Sequence, residues 1–185
     1  MKRVKILIFI LIVFLISGCM RTRYITERYI KTKIENHTSN QFSSIRTYSI
    51  YKSEPGAPTY LELTGYKYKG NKALVIGADR YFNARKIFPG DLTKKVDIYY
   101  LELTIDEVNM IIANHEALLK KIKSEKLKKN EEVYHDFTIN ESLFISLHKT
   151  STKSGDLNID FWLYGEKYSV KTRTIIGKLE KFMKY

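Results

Sequence analysis

The chain has 185 residues, 44% of them hydrophobic and 13% aromatic, and a formal net charge of +12. That length allows one domain with a real core, and that composition excludes an intrinsically disordered or collagen-like chain. A single cysteine excludes an internal disulfide and a cysteine-based zinc site, while the positive balance favours anionic partners. Lys, Ile, Tyr, Asn and Phe abound together, so A/T-rich coding bias also contributes to the charge.

The chain opens on a basic stretch, Met1-Lys2-Arg3-Val4-Lys5. An unbroken apolar run from Ile6 to Ile16 follows, about 11 residues long, which is signal-peptide length. A bilayer-spanning helix needs ~20 residues. Small residues Ser17 and Gly18 then precede Cys19, the lone cysteine. A peptidase must approach the backbone closely there, and the thiol is the group that takes the lipid. Ile16-Ser17-Gly18-Cys19 resembles the lipobox of bacterial lipoproteins, over about the first 20 residues only. The resemblance implies that Ile16, Ser17 and Gly18 are read by the signal peptidase and that Cys19 becomes the acylated N-terminus. Such chains anchor stably, because more than one acyl chain is attached. The residue after Cys19 is Met20, not Asp, which in the enteric-type sorting of that family favours the outer membrane; the basic residues that follow (Arg21, Arg23, Arg28, Lys31, Lys33), with no acidic cluster among them, favour its periplasmic face.

Residues 19–44 are expected to be the lipidated cysteine and a tether. Asn36 to Ser44 has polar loop composition. Tyr24, Ile25, Tyr29, Ile30 and Ile34 leave room for a short strand or helix near 22–34. As a coil of ~25 residues the tether would reach ~25–30 Å. Arg21 and Arg23 stand close to the anchor, where each is worth ~1 kcal/mol against anionic headgroups.

A single domain is expected over 45–185. Ile45 to Lys52 reads as a strand, Pro55-Gly56-Ala57-Pro58 as a turn, and Thr59 to Lys69 as a strand with Tyr60, Glu62, Thr64, Tyr66 and Tyr68 on one face. Lys69-Gly70-Asn71-Lys72 is a hairpin turn returning into Ala73 to Ile76. Residues 77–95 read as irregular, and Val96 to Leu103 as a strand. Thr104-Ile105-Asp106-Glu107 is a capping box opening a helix to about 128. Its stripe runs through Val108, Ile111, Ile112, His115, Leu118, Leu119 and Ile122. Lys120, Lys121, Lys128 and Lys129 crowd its final turns, which suits the helix dipole and offers an anionic-surface contact. Strands follow at Val133 to Ile139, Leu143 to Lys149, Asp156 to Tyr164 and Glu166 to Val170. A closing helix covers about 172–184, with Ile175, Ile176, Leu179, Phe182 and Met183 on one face. The predicted class is α+β, with an antiparallel sheet of about seven to eight strands and helices on one side. Element order also admits a duplicated strand-and-helix unit. Tyr60-Leu61-Glu62-Leu63-Thr64 recurs as Tyr100-Leu101-Glu102-Leu103-Thr104, but the flanks differ, so this is shared strand composition.

No phosphate loop, nucleophile elbow or zinc-protease helix is present. Ser49-Ile50-Tyr51-Lys52 has the spacing of penicillin-recognising enzymes but falls in a strand pattern. His37, His115, His135 and His148 share no metal-ligand spacing. His135 and Asp136 are adjacent on a strand and point to opposite faces. Asp156-Leu157-Asn158-Ile159-Asp160 starts like a calcium loop, yet Phe161 stands where glycine is required. No catalytic residue, metal or cofactor is expected. Strand tyrosines (Tyr60, Tyr66, Tyr68, Tyr99, Tyr100) with Trp162 offer a binding platform. The expected protein is a lipid-anchored envelope module binding another envelope protein or an anionic polymer. Its compartment excludes nucleic acid. An inhibitor or immunity-type protein, or a small hydrolase with an unfamiliar site, are the alternative readings.

Overall fold

In a computed structural model, residues 25–37, 45–53, 60–79, 98–125, 131–149 and 157–185 are described. The elements are α1 (Ile25–His37), β1 (Arg46–Lys52), β2 (Leu61–Tyr68), β3 (Asn71–Asp79), β4 (Ile98–Leu103), α2 (Ile105–Ser124), β5 (Val133–Asn140), β6 (Leu143–Lys149), β7 (Leu157–Leu163), β8 (Glu166–Lys171) and α3 (Thr172–Lys184). The class is α+β, as the hairpin-length links required.

The strands form two four-stranded antiparallel sheets, β1-β2-β3-β4 and β5-β6-β7-β8, instead of the one expected sheet. The break falls between β4 and β5, where the 20-residue α2 intervenes. Such a helix is ~30 Å long and carries the chain away from the first sheet. Within each sheet the neighbours are consecutive, and two of the hairpins turn tightly. Lys69 and Gly70 have φ of 46° and 84°, and Tyr164 and Gly165 have φ of 51° and 85°. Paired positive φ values match the right-handed strand twist, and glycine takes the second at no steric cost.

Helix α2 starts as its capping box requires: the Thr104 hydroxyl accepts from the Glu107 N–H at 3.3 Å, and the Glu107 carboxylate accepts from the Thr104 N–H at 2.7 Å. It ends at Ser124 with Glu125 as its C-cap, so the expected continuation over 126–128 lies outside the described residues. Helix α3 spans the expected segment.

One core joins everything from β1 to α3. It takes Leu61, Leu63, Leu74 and Ile76 from the first sheet and Leu143, Ile145, Ile159 and Phe161 from the second. Val108, Ile111 and Leu118 of α2 and Ile175, Leu179 and Phe182 of α3 complete it. The helices pack reciprocally. Helix α2 lies on β3 and on β5, the first strand of the other sheet, whereas α3 lies on β7, β8 and β1. Gly65 makes the α3 contact possible, since a Cβ there would sit 2.3 Å from the Phe182 ring.

Helix α1 occupies the segment read from sequence as tether. It covers the other face of the first sheet, where Ile30 is buried with Tyr66, Ala73 and Val75. Strand β2 is therefore buried on both faces from Leu61 to Tyr66, although its alternation of apolar and polar residues reads like a half-solvated strand.

Candidate functional site

The two sheets present two faces away from the shared core, and these faces have opposite fates. On the first sheet the face is closed by α1. Glu62, fully buried, accepts from the backbone N–H groups of Ile25 (3.1 Å) and Thr26 (3.2 Å), from the Thr26 hydroxyl, and from the Tyr60 hydroxyl (2.6 Å). A carboxylate on β2 thus caps the N-terminus of α1, satisfying orphan amides and meeting the positive end of the helix dipole. Thr26 and Thr64 share a further hydroxyl contact at 2.7 Å. Gly77 lets the helix approach, since a Cβ there would lie 2.8 Å from Thr26 Cγ2.

This closure consumes part of the predicted aromatic platform: Tyr60, Tyr66 and Tyr100. Tyr100 stacks on Tyr29 of α1 with ring centroids 4.4 Å apart. Tyr66 donates to Glu102 at 2.9 Å, and Lys33 of α1 pairs with the same carboxylate. Burial, then the Glu102 carboxylate, push the Tyr66 hydroxyl well above its usual range. Tyr99 is used elsewhere, stacked on Tyr164 at 4.6 Å. A cleft of about 600 Å³ remains beside α1, lined among others by Ile34, Tyr66, Tyr68, Lys72 and Thr104. Lys72 in its wall donates to the Met183 carbonyl at 2.9 Å and lies 4.9 Å from the Phe182 ring centroid. Burial, then Lys67, lower the affinity of Lys72 for its proton.

On the second sheet no helix among the described residues covers the corresponding face, which we call the open face. Register places three rows across its four strands. One row holds Thr138, Phe144, Trp162 and Lys167; the middle row holds Asp136, Ser146, Asp160 and Ser169; the last holds Tyr134, His148, Asn158 and Lys171. Tyr134 is 57% exposed, and Phe144 and Trp162 are each 37% exposed. The Trp162 ring carries Lys167 Nζ 5.8 Å from its centroid, and Tyr134 stacks on His148 at 5.5 Å.

Asp160 sits at the centre and is only 5% exposed. Ser169 donates to its Oδ1 at 2.6 Å; Lys167 Nζ and His148 Nδ1 lie 3.7 Å and 3.6 Å from its Oδ2. The His148 distance exceeds hydrogen-bonding range, and Nδ1 has no hydrogen-bond partner among the described residues. The serine hydroxyl is directed at the carboxylate, so this geometry does not make a serine–histidine relay, which needs the nucleophile bonded to the base. It makes a fixed hydrogen-bonding centre flanked by aromatic rings.

Aligning the meanders where each enters its helix explains the difference. Leu103 then corresponds to Val170, and register carries the match across: Glu62 to Phe144, Gly77 to Trp162, and Val75 to Asp160. The capping carboxylate and the small residue that admit α1 are replaced by two large rings. A helix cannot close the second face as α1 closes the first.

The remaining predicted positions are dispersed. Lys120 and Lys121 are exposed on α2. Ile16, Ser17, Gly18, Cys19, Arg21, Arg23, Lys128 and Lys129 lie outside the described residues. His135 is bonded through Nε2 to Asn114 at 2.7 Å, and His115 is half-buried on α2. No group of metal-binding side chains occurs among the described residues. None of their helices is long and apolar enough to cross a membrane. Asp160, Ser146 and Tyr134 were missed as site residues; the period of a strand does not say which cross-strand neighbours stand beside a side chain. Compared with known proteins, the chain matches no family model, no curated protein and no solved structure.

Proposed function

We propose that the chain is a lipid-anchored protein of a bacterial cell envelope that acts as a non-enzymatic binding module, docking its partner on the open face of the second sheet. The observation that carries the docking role is that face itself: three exposed aromatic side chains around a buried, hydrogen-bonded carboxylate, on a sheet whose counterpart is sealed. Isolated exposed apolar residues need no explanation, but aromatics gathered on one surface mark interaction sites.

The anchor rests on Ile16-Ser17-Gly18-Cys19. The docked α1 gives it a consequence. Ile25 follows Cys19 by six residues, a span of at most ~20 Å. The domain is therefore held close to the lipid surface, with Arg21 and Arg23 set against anionic headgroups. Lys120 and Lys121, with Lys128 and Lys129, offer a second contact with an anionic surface.

Two measurements test the reading. Cys19→Ala should abolish fatty-acid labelling and move the protein out of the membrane fraction; unchanged labelling rules out the anchor. Crosslinked capture from intact cells should retrieve a partner with the native chain and lose it with Trp162→Ala. Undiminished capture by that variant rules out the docking face.

A further inference from the structure

We infer that the ligand of the open face is a neutral, polyhydroxylated one: a short run of sugar rings. The inference rests on the docking role proposed above and deepens it.

Charge is the first argument. The chain as a whole carries +12, yet the three rows of this face carry Asp136 and Asp160 against Lys167 and Lys171, and a further carboxylate, Glu132, accepts from Tyr134 at their edge. A surface for phosphate-rich polymers or acidic headgroups would concentrate the positive charge. Here the chain withholds it and puts a carboxylate at the centre.

Size is the second. Four strands ~4.8 Å apart and three rows ~7 Å apart make a patch of roughly 400 Å². A stable protein partner buries about 800 Å² on each side. The face is half that size, which suits a few rings of an extended saccharide.

Chemistry is the third. Phe144 and Trp162 are direct cross-strand partners at one end, and Tyr134 and His148 are partners at the other. Thr138 follows Tyr134 by four positions along the strand, so the two aromatic stations stand ~14 Å apart. Between them lies Asp160, a planar acceptor fixed by Ser169 at 2.6 Å. A carboxylate has about four lone-pair sites, so capacity remains for hydroxyl donors. Flat apolar ring faces stack on the aromatics, while adjacent hydroxyls donate to the carboxylate. Asn158 and Ser146, neighbours of Asp160 on the grid, supply both donor and acceptor groups.

Trp162 is the chain's single tryptophan, so its fluorescence reports on this face alone. The test titrates the full-length chain, in a sugar-free detergent, with trisaccharides of N-acetylglucosamine and of glucose. Polyphosphate and phosphatidylglycerol vesicles serve as counter-probes. A saturable change in emission with a neutral trisaccharide is expected, stronger than with the matching monosaccharide. Tyr134→Ala and Phe144→Ala should each weaken it about tenfold, and Lys178→Ala, at an exposed position of α3, should leave it unchanged. Absence of a saturable response to either neutral trisaccharide overturns the inference, as does a response confined to the anionic probes. If crosslinking still captures a protein and Trp162→Ala abolishes that capture, the docking face stands and the sugar ligand falls. If Trp162→Ala leaves capture intact, the docking face falls with it.

Discussion

Two glycines decide where the helices of this protein can lie. Gly65 faces the shared core, and an added methyl would meet the Phe182 ring at 2.3 Å. Phe182 is fully buried and has little freedom to retreat. Gly65→Ala should therefore cost ~1–3 kcal/mol, the usual penalty for overpacking, measured as a lower midpoint in denaturant. Gly77→Ala should behave differently, because the atoms it meets belong to Thr26 and Ile25 at the start of α1. It should speed amide exchange over residues 25–37 with a smaller effect on the core. Neither glycine was legible as a packing site. Alternation identified the strand of Gly65, whereas Gly77 fell in the segment read as irregular, which β3 in fact continues through to Asp79; in neither case is the identity of the element that presses on the glycine written beside it. The setting of Asp160 was not legible for the same reason. Its neighbours in sequence are strand residues, whereas Ser169, Lys167 and His148 reach it only through register.

At the scale of single elements, α1 and α2 show two routes to a helix. Helix α2 carries its own signals: a capping box, a 3–4 apolar stripe, and lysines in its last turn. Burial alone pushes the Glu107 carboxyl up, but hydrogen bonds from Asn140 and Thr104 outweigh it and hold the group below its usual value. Thr104→Ala should cost ~1 kcal/mol in thermal or denaturant unfolding. Helix α1 has 13 residues, near the length at which isolated helices are marginal. It has no cap of its own within the described residues and takes one from Glu62. Glu62→Ala leaves two N–H groups and the Thr26 hydroxyl without their acceptor, which should cost ~2–4 kcal/mol. The expected readout is protease cleavage within 25–37 while β1 to α3 remain protected. That is why the sequence pattern read this segment as tether. Its helical state depends on a carboxylate 37 residues away.

Across the whole molecule, the two sheets share one core, so they should unfold together. Leu63→Ala in the first sheet and Ile145→Ala in the second should each lower a single transition by ~2–5 kcal/mol. Two separable transitions would mean that the sheets are independent units. A pH effect is also expected at the α2–α3 contact. Burial lowers the proton affinity of His115 from its ordinary 6.5, opposed by Glu180 and Glu116. Above that pH the imidazole is neutral in both states, and stability is unaffected. As pH falls through 6.5 the unfolded chain binds a proton that the folded chain resists, so stability falls. His115→Leu should flatten the decline in melting temperature between pH 7.5 and 5.5.

By itself the sequence determined the local matters. Strand and helix periods, the Thr104 capping box, the Lys69-Gly70 turn and the α+β class all follow from contacts within a few residues of chain. These are set by backbone geometry and short-range hydrogen bonding. Tertiary structure decided what periodicity cannot encode: that the strands part into two sheets, that α1 seals one face, and that no helix among the described residues covers the other face, around Asp160. Alternation says that a residue points away from the core. Only the packing of distant segments decides whether it meets a helix or solvent, because those contacts join residues far apart in the chain.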